Sequence, residues 1–349
     1  MQSVILKNYG FKEGSFTINT FGSGLINHTW KVTHQGNDYI LQRINDEVFK
    51  QPTDIAANIG LIAAFLKQHH PDYFFVAPVK TSGGNEMVYL KDEGYFRMFP
   101  FVKESHSIDV VATPGEAYEA AAQFGRFTKL LDGISTDQLK ISIPDFHNLA
   151  LRYQQFLTAL KNGNPDRIKE TKVLSDELLS YSDIVKDYEK IIRNSDFKKR
   201  VTHHDTKISN VLFDDAGKGL CVIDLDTVMP GYFISDVGDM MRTYLAPVSE
   251  EEKDFYKIEI RNDFYEAVVK GYYSEIKPVL TAIEKHYFFY AGTFMIYMQA
   301  IRFLTDYLND DKYYGSKYPG QNLVRAGNQA ILLKRLIEKK EILSGIIKE

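Results

Sequence analysis

VTHHDTKISNVLFDDAGKGLCVIDLDTVMPG, residues Val201 to Gly231, is the stretch that decides how the chain is read. It divides into a polar loop, a short apolar run, a tight turn and a second apolar run. The loop carries His203, Asp205 and Asn210, the turn is Asp215-Ala216-Gly217, and the second run, Leu220 to Ile223, delivers Asp224 and Asp226 at its end. Apolar runs on either side of such a turn predict a hairpin, which returns Asp224 towards Asn210 and leaves Asp205 on the same edge. Carboxylates and a carboxamide are hard oxygen donors and suit Mg²⁺, which keeps part of its water shell and bridges phosphates. A further carboxylate beside such an ion can accept a proton from an attacking hydroxyl.

His-x-Asp, an Asn five residues after the Asp, and Ile-Asp at the far end of a hairpin resemble the catalytic core of the aminoglycoside phosphotransferase and choline kinase group. The fuller wording, THHDTKISNVLFD with CVIDLDTVMPG, is similar to the N-acetylhexosamine 1-kinase branch of that group. The resemblance implies an α+β, protein-kinase-like fold of two lobes: a small β-rich nucleotide-binding lobe over 1–102 and a large helical lobe over 103–349. It implies ATP and Mg²⁺ as cofactors, Asp205 as the base, and Asn210 with Asp224 as the metal-holding pair. Asp226, two residues along, stays open as an alternative ligand. The reaction implied is transfer of the γ-phosphoryl of ATP to a hydroxyl of a small molecule. The branch points to an amino sugar such as an N-acetylhexosamine, phosphorylated at its anomeric hydroxyl. Choline, homoserine or another small alcohol is the alternative acceptor, and a non-catalytic ATP-binding protein the alternative class.

A chain of 349 residues can bury a large core, and 44% hydrophobic with 25% charged residues is an ordinary globular composition. A net charge of −4 gives no nucleic-acid footprint. The single cysteine, Cys221, lies in an apolar run and reads as a buried structural thiol. No leader pattern is visible at the N-terminus, so the expectation is a cytoplasmic protein with a small-molecule partner and no membrane. The most apolar run, Tyr287 to Ile301, is interrupted by Gly292, Thr293 and Gln299 and reads as a buried core helix.

The N-terminal segment alternates as strands over Gly14–Thr20, Trp30–Val32 and Tyr39–Ile44. Two close glycines between strands let backbone amides approach phosphates. The resemblance makes Phe21 to Asn27, with Gly22, Ser23 and Gly24, the nucleotide-covering loop. It also places the phosphate-pairing cation in YILQRI, where Arg43 is the expected residue and Gln42, on the opposite face, competes for the position. TDIAANIGLIAAFLKQHH, Thr53 to His70, predicts an amphipathic helix with Thr53 as N-cap. It has no Glu, which leaves the partner of Arg43 unassigned. Strands follow over Glu86–Lys91 and Tyr95–Phe101, and the resemblance puts the adenine-binding hinge at Phe99 and Phe101.

Helical periodicity then covers Gly115–Leu131, Pro144–Lys161, Asp176–Ser195, Glu250–Ser274, Pro278–Leu308 and Gln321–Ile346. Asp236 and Asp239 stand before a helix expected near Met240, as N-cap or as braces for the catalytic loop. Arg302 and Asp306 are four apart on one helix face. They pair as a salt bridge or, as the branch implies, offer hydrogen bonds to sugar hydroxyls.

Overall fold

The computed structural model describes residues 2–22 and 26–347, so Ser23 and Gly24 of the expected nucleotide loop lie outside it. The chain forms two compact units: residues 1–107, 130–144 and 210–230 make the first, and 108–129, 145–209 and 231–349 the second.

The first unit is built on a five-stranded antiparallel sheet: β1 (Phe16–Thr20), β2 (His28–His34), β3 (Asn37–Arg43), β4 (Val88–Leu90) and β5 (Gly94–Pro100), in spatial order β1-β2-β3-β5-β4. Strand alternation sets its two faces. Leu41 stands opposite both Trp30 and Met98, and Arg43 opposite Phe96. Leu41, Phe96 and Met98 are fully buried with Val32 and with Ile5 and Leu6 of helix α1 (Gln2–Asn8). Each such aliphatic or aromatic side chain contributes about 1.5–3 kcal/mol on burial. The opposite face carries Gln42 across from Arg97.

Helix α2 (Pro52–His69) starts one residue earlier than its sequence suggests. Pro52 occupies the first turn and Gln51 the cap, with no side-chain cap bond, so Thr53 lies inside the helix. Proline's fixed φ and missing N–H suit that place. Ile55, Ile59, Ile62 and Leu66 bury, and the one fully enclosed polar residue beside them is Asn58.

The second unit is helical. Its central element, Phe288–Leu308, is buried on nearly every side, as a helix apolar all round must be. It packs on the helices Gln321–Glu338 and Phe233–Tyr244 and on Leu149–Asn162. Gly238 lets the second of these come close: a Cβ there would overlap the Ala291 carbonyl. Among the described residues no helix is long and apolar enough to cross a membrane.

Several helix bounds differ from those expected, each for a local reason. The stretch from Pro144 is a turn, and the helix opens at Leu149 because Asn148 accepts the Leu151 amide as a side-chain cap. Residues 176–195 break into Lys172–Ser180 and Asp183–Arg193, with Tyr181 turning back onto the Leu178 carbonyl. The helix expected from Glu250 begins at Asn262. The one expected from Pro278 begins at Phe288, directly after a 3-10 turn that opens at Glu284. The buried Glu284 carboxylate accepts from the amides of Lys198 and Thr281 and pairs with Arg200 at 2.7 Å. Asp236 and Asp239 do not precede a helix; they lie inside Phe233–Tyr244, so the N-cap role is excluded.

Candidate active site

The hairpin belongs to the first unit. Its strands, Val211–Phe213 and Gly219–Val222, pair with Val211 opposite Val222 and Leu212 opposite Cys221. The turn is held by Asp214, whose carboxylate accepts the amides of Ala216 and Lys218, while Gly217 takes φ +76°. Cys221 is buried and its thiol is pushed up to about 12 by desolvation, which fits a structural role. At the open end the Ile223 amide donates to the Asn210 carbonyl at 2.8 Å, so Asn210 faces the residue next to Asp224. Asp224 sits in the left-handed region at φ 58°, ψ 62°, and is exposed. A non-glycine residue held there costs about 1–3 kcal/mol, and such strain concentrates at functional sites.

Asp226 has a different fate. It is 3% exposed, and its Oδ1 lies 2.5 Å from Arg97 Nη1. Its Oδ2 accepts from Asn27 Nδ2 at 2.8 Å, and Asn27 in turn accepts the Asn45 amide. Arg97 completes the array by donating from Nε and Nη2 to Gln42 Oε1 at 3.1 and 2.9 Å. The cation set against the hairpin is therefore Arg97, on the Gln42 face of the sheet. Arg43 stands on the other face, that of Leu41 and Phe96, because neighbours in a strand point to opposite sides. Among the described residues helix α2 provides no carboxylate to either arginine. Its buried Asn58 donates to the carbonyls of Val228 and Lys140 and accepts the Lys140 amide, which fixes the chain just beyond Asp226.

Of the residues expected at the nucleotide, Gly22 has φ +75° with open space where a Cβ would be. The Phe99 ring lies 5.1 Å from the Arg97 guanidinium. The Phe101 amide already donates to the Asp38 carbonyl at 3.0 Å, and Lys31 Nζ stands 4.1 Å over its ring. The hinge role expected of the Phe101 backbone is thus narrowed to its carbonyl.

The loop carrying Asp205 belongs to the second unit and is clamped from the helix Phe233–Tyr244. Asp236 accepts the amides of His204 at 2.8 Å and His203 at 3.1 Å. Asp239 accepts the Thr206 amide at 2.8 Å, and Tyr244 Oη donates to the Thr206 carbonyl at 2.7 Å. Peptides on both sides of Asp205 are held, while Asp205 itself is partly exposed. This is the bracing role weighed for Asp236 and Asp239. Burial pushes the Asp236 carboxyl up to about 7 against the opposing pull of the two histidine amides. His203 is enclosed, its ring edge-on to Phe124 at 5.1 Å, and its Nδ1 accepts the Asp205 amide at 3.4 Å. Gly231 allows the chain to pass His204 and Thr202, where a Cβ would collide with both.

Lys207 Nζ lies 3.2 Å from Asp205 Oδ1. Sequence reading passed over Lys207, although a cation two residues after a base is a visible pattern. The pairing of Arg97 and Asn27 with Asp226 was missed for a different reason: nothing in the sequence around either announces a partner 129 or 199 residues away.

Arg302 and Asp306 do not pair with each other among the described residues. Asp306 is buried and accepts the amides of Tyr313 at 2.7 Å and Tyr314 at 2.9 Å, together with Asn322 Nδ2 at 3.1 Å. It fastens the 309–320 loop. Arg302 lies among rings, with Tyr314 at 5.5 Å and Phe146 and Tyr313 each at 5.9 Å.

The profile of the phosphotransferase enzyme family matches residues 17–273. Among solved structures, an aminoglycoside phosphotransferase from Alicyclobacillus acidocaldarius superposes with a TM-score of 0.64 at 14% identity, over 98% of this chain and 97% of that one. An amicoumacin kinase in complex with AMP-PNP, Ca²⁺ and amicoumacin gives 0.62 at 15% identity, over 96% and 91%. A microcompartment-associated aminopropanol kinase gives 0.61 at 16%, over 99% and 98%. The fold is thereby the α+β, protein-kinase-like one expected: an N-terminal five-stranded antiparallel sheet with a helical C-terminal region.

Proposed function

Given that the chain belongs to the phosphotransferase enzyme family and is an ATP-dependent kinase of small-molecule hydroxyls, we propose that its acceptor is an amino sugar such as an N-acetylhexosamine, phosphorylated at the anomeric hydroxyl. Support for the sugar comes from the wording of the 201–231 stretch, and support for the chemistry from the loop that carries Asp205. That loop is the observation the reading rests on. Its peptides are pinned by Asp236, Asp239 and Tyr244, so the Asp205 carboxylate is presented without a backbone free to relax. A held base is worth about 10²–10⁴-fold in rate.

In this reading Asp205 takes the proton of the acceptor hydroxyl, and Lys207 steadies its charge. Asn210 and the exposed Asp224 would hold Mg²⁺. Among the described residues no group of three or more His, Cys, Asp or Glu is placed so that it could hold a metal ion by itself. Mg²⁺ bound through one or two protein oxygens, with phosphates and water completing its octahedron, needs none. The ion supplies charge neutralisation on the phosphates. Asp226 is assigned to Arg97 rather than to the metal, because both its oxygens are already engaged in a buried array. Gly22, Ser23 and Gly24 cover the nucleotide, and Phe99 and Phe101 meet its base. Arg43, on the apolar face of the sheet, has no nucleotide role here. The division into a nucleotide lobe over 1–102 and a catalytic lobe over 103–349 is part of the same reading.

The test is an acceptor panel with Mg·ATP and ADP release as readout, comparing N-acetylglucosamine and N-acetylgalactosamine with choline, homoserine and aminopropanol. The expected outcome is turnover of an N-acetylhexosamine to an acid-labile sugar 1-phosphate. A higher kcat/KM for choline or an amino alcohol than for either sugar rejects the proposed acceptor while leaving the kinase intact.

A further inference from the structure

Arginines in the second unit divide into two kinds. Arg242 and Arg325 are matched by acids: Glu250 gives one oxygen to each, at 3.1 and 2.5 Å, and Asp239 adds a second partner to Arg242. Arg152 and Arg302 are not. Among the described residues neither comes within ion-pair distance of a carboxylate. Arg302 donates long bonds to Gln299 Oε1 at 3.3 Å and to Tyr313 Oη at 3.4 Å. Arg152 donates to the Asp145 carbonyl at 2.9 Å and to Gln155 Oε1 at 3.1 Å, and its buried Nε has no partner.

These charges act on one another and lie beside the catalytic loop. Both residues are partly buried, and both reach the same short segment: Arg152 through the Asp145 carbonyl and Arg302 through the Phe146 ring. Burial, and then the positive field of Arg302, makes the charged form of Arg152 harder to hold, against the opposing pull of Tyr313, Tyr314 and Asp145. His147 Nδ1 stands 3.3 Å from His204 Nδ1, next in sequence to Asp205. Burial holds His147 well below the usual imidazole range, with His204 and then Arg302 adding to the effect. A second cation placed here would be repelled by both arginines. Neutral hydroxyls would bring no opposite charge to the two arginines. A planar carboxylate or a phosphate matches the guanidinium fork and removes the repulsion between the arginines.

We propose that Arg152 and Arg302 form an anion-recognising subsite for the acceptor, so that the molecule phosphorylated carries a carboxylate or phosphate group in addition to its reacting hydroxyl. This rests on the kinase reading above and narrows it from amino sugars in general to acidic ones. Phe146, Tyr313 and Tyr314 line the subsite. Their rings stand 5.5–5.9 Å from the Arg302 guanidinium, within cation–π distance.

The experiment measures kcat/KM for matched acceptors: N-acetylglucosamine against its 6-phosphate, and glucose against glucuronate. The first pair reads a phosphate and the second a carboxylate. The same set is run on Arg152→Gln, Arg302→Gln and Arg302→Lys, with melting curves to show that each variant is folded. The expected result is an advantage of about tenfold or more for one acidic member over its neutral partner. That advantage is lost in both Gln variants and only partly kept by Lys, while KM for ATP is unchanged. Equal or better use of both neutral members overturns the subsite and leaves the kinase standing. A rise in KM for ATP with no change in acceptor preference also overturns it, since the arginines would then serve the nucleotide. Should none of these sugars turn over, the proposed sugar acceptor fails on its own, and calorimetry with the same pairs decides the subsite. Binding of an acidic member alone, abolished in Arg302→Gln, sustains it; equal binding, or none, removes it.

Discussion

Arg97 Nη1 lies 2.5 Å from Asp226 Oδ1, with both side chains all but removed from water. The pair joins β5 to the end of the hairpin two residues after Asp224. Gln42 and Asn27 take up hydrogen-bonding positions on either side of it. A buried pair of this kind holds its segments in one arrangement, because either charge left alone would be far costlier than the two together.

Removing one partner is therefore expected to destabilise the protein by about 3–5 kcal/mol, and the double change Arg97→Met with Asp226→Leu by much less than the sum of the single changes. Urea denaturation of the four proteins measures both quantities. In the same set Asp224→Ala should lose Mg·ATP affinity with little change in stability, and Asn210→Ala should lose less affinity because it carries no charge. If Mg·ATP titration instead shows the loss in a still-stable Asp226→Ala protein, the two aspartates have exchanged roles.

Asp205→Asn keeps the shape of the loop, whose anchors are main-chain groups on either side of it. It should lower kcat by about 10²–10⁴-fold and leave nucleotide affinity nearly intact. A variant retaining a tenth or more of wild-type kcat is incompatible with Asp205 as the base.

The Asp236 carboxyl, pushed up to about 7 by burial, sets a pH dependence of stability. An unfolded aspartate titrates near 3.9, so between about pH 4 and 7 the native state binds more protons than the unfolded chain. Stability from this group is therefore present at the acid end of that window and is lost as pH rises through it. Asp236→Asn cannot titrate. The difference in melting temperature, variant minus wild type, should climb as pH goes from about 5 to 7.5, whatever its offset. A flat difference would mean that Asp236 is already ionised across the window.

Asp306→Ala removes the acceptor of two main-chain amides and of Asn322 Nδ2 at once. A hydrogen bond to a charged group is worth about 1.5–3 kcal/mol, so the expected loss is about 3 kcal/mol or more in chemical denaturation. Limited proteolysis should cut first within residues 309–320. A loss under about 1 kcal/mol would show that the loop is fastened by something else.

What the sequence by itself determined is short-range. The hairpin from Val211 to Val222, with Asn210 at its mouth, follows from two apolar runs around a turn, and the buried course of Phe288–Leu308 from its high apolar content. Strand alternation also told that Gln42 and Arg43 face opposite sides, but not which side meets the hairpin. Only the tertiary structure decided that. The register of β3 against β5 sets Arg97 across from Gln42, and the return of the chain at Asp226 brings a carboxylate to that face. The same holds for Arg302 and Asp306: their spacing permits a salt bridge, yet the 309–320 loop supplies Asp306 with main-chain donors and leaves Arg302 to its aromatic neighbours. A periodic pattern fixes a residue's face through bonds a few residues long. The partner on that face is chosen by burial, where each charge must find whichever opposite group the fold brings within reach.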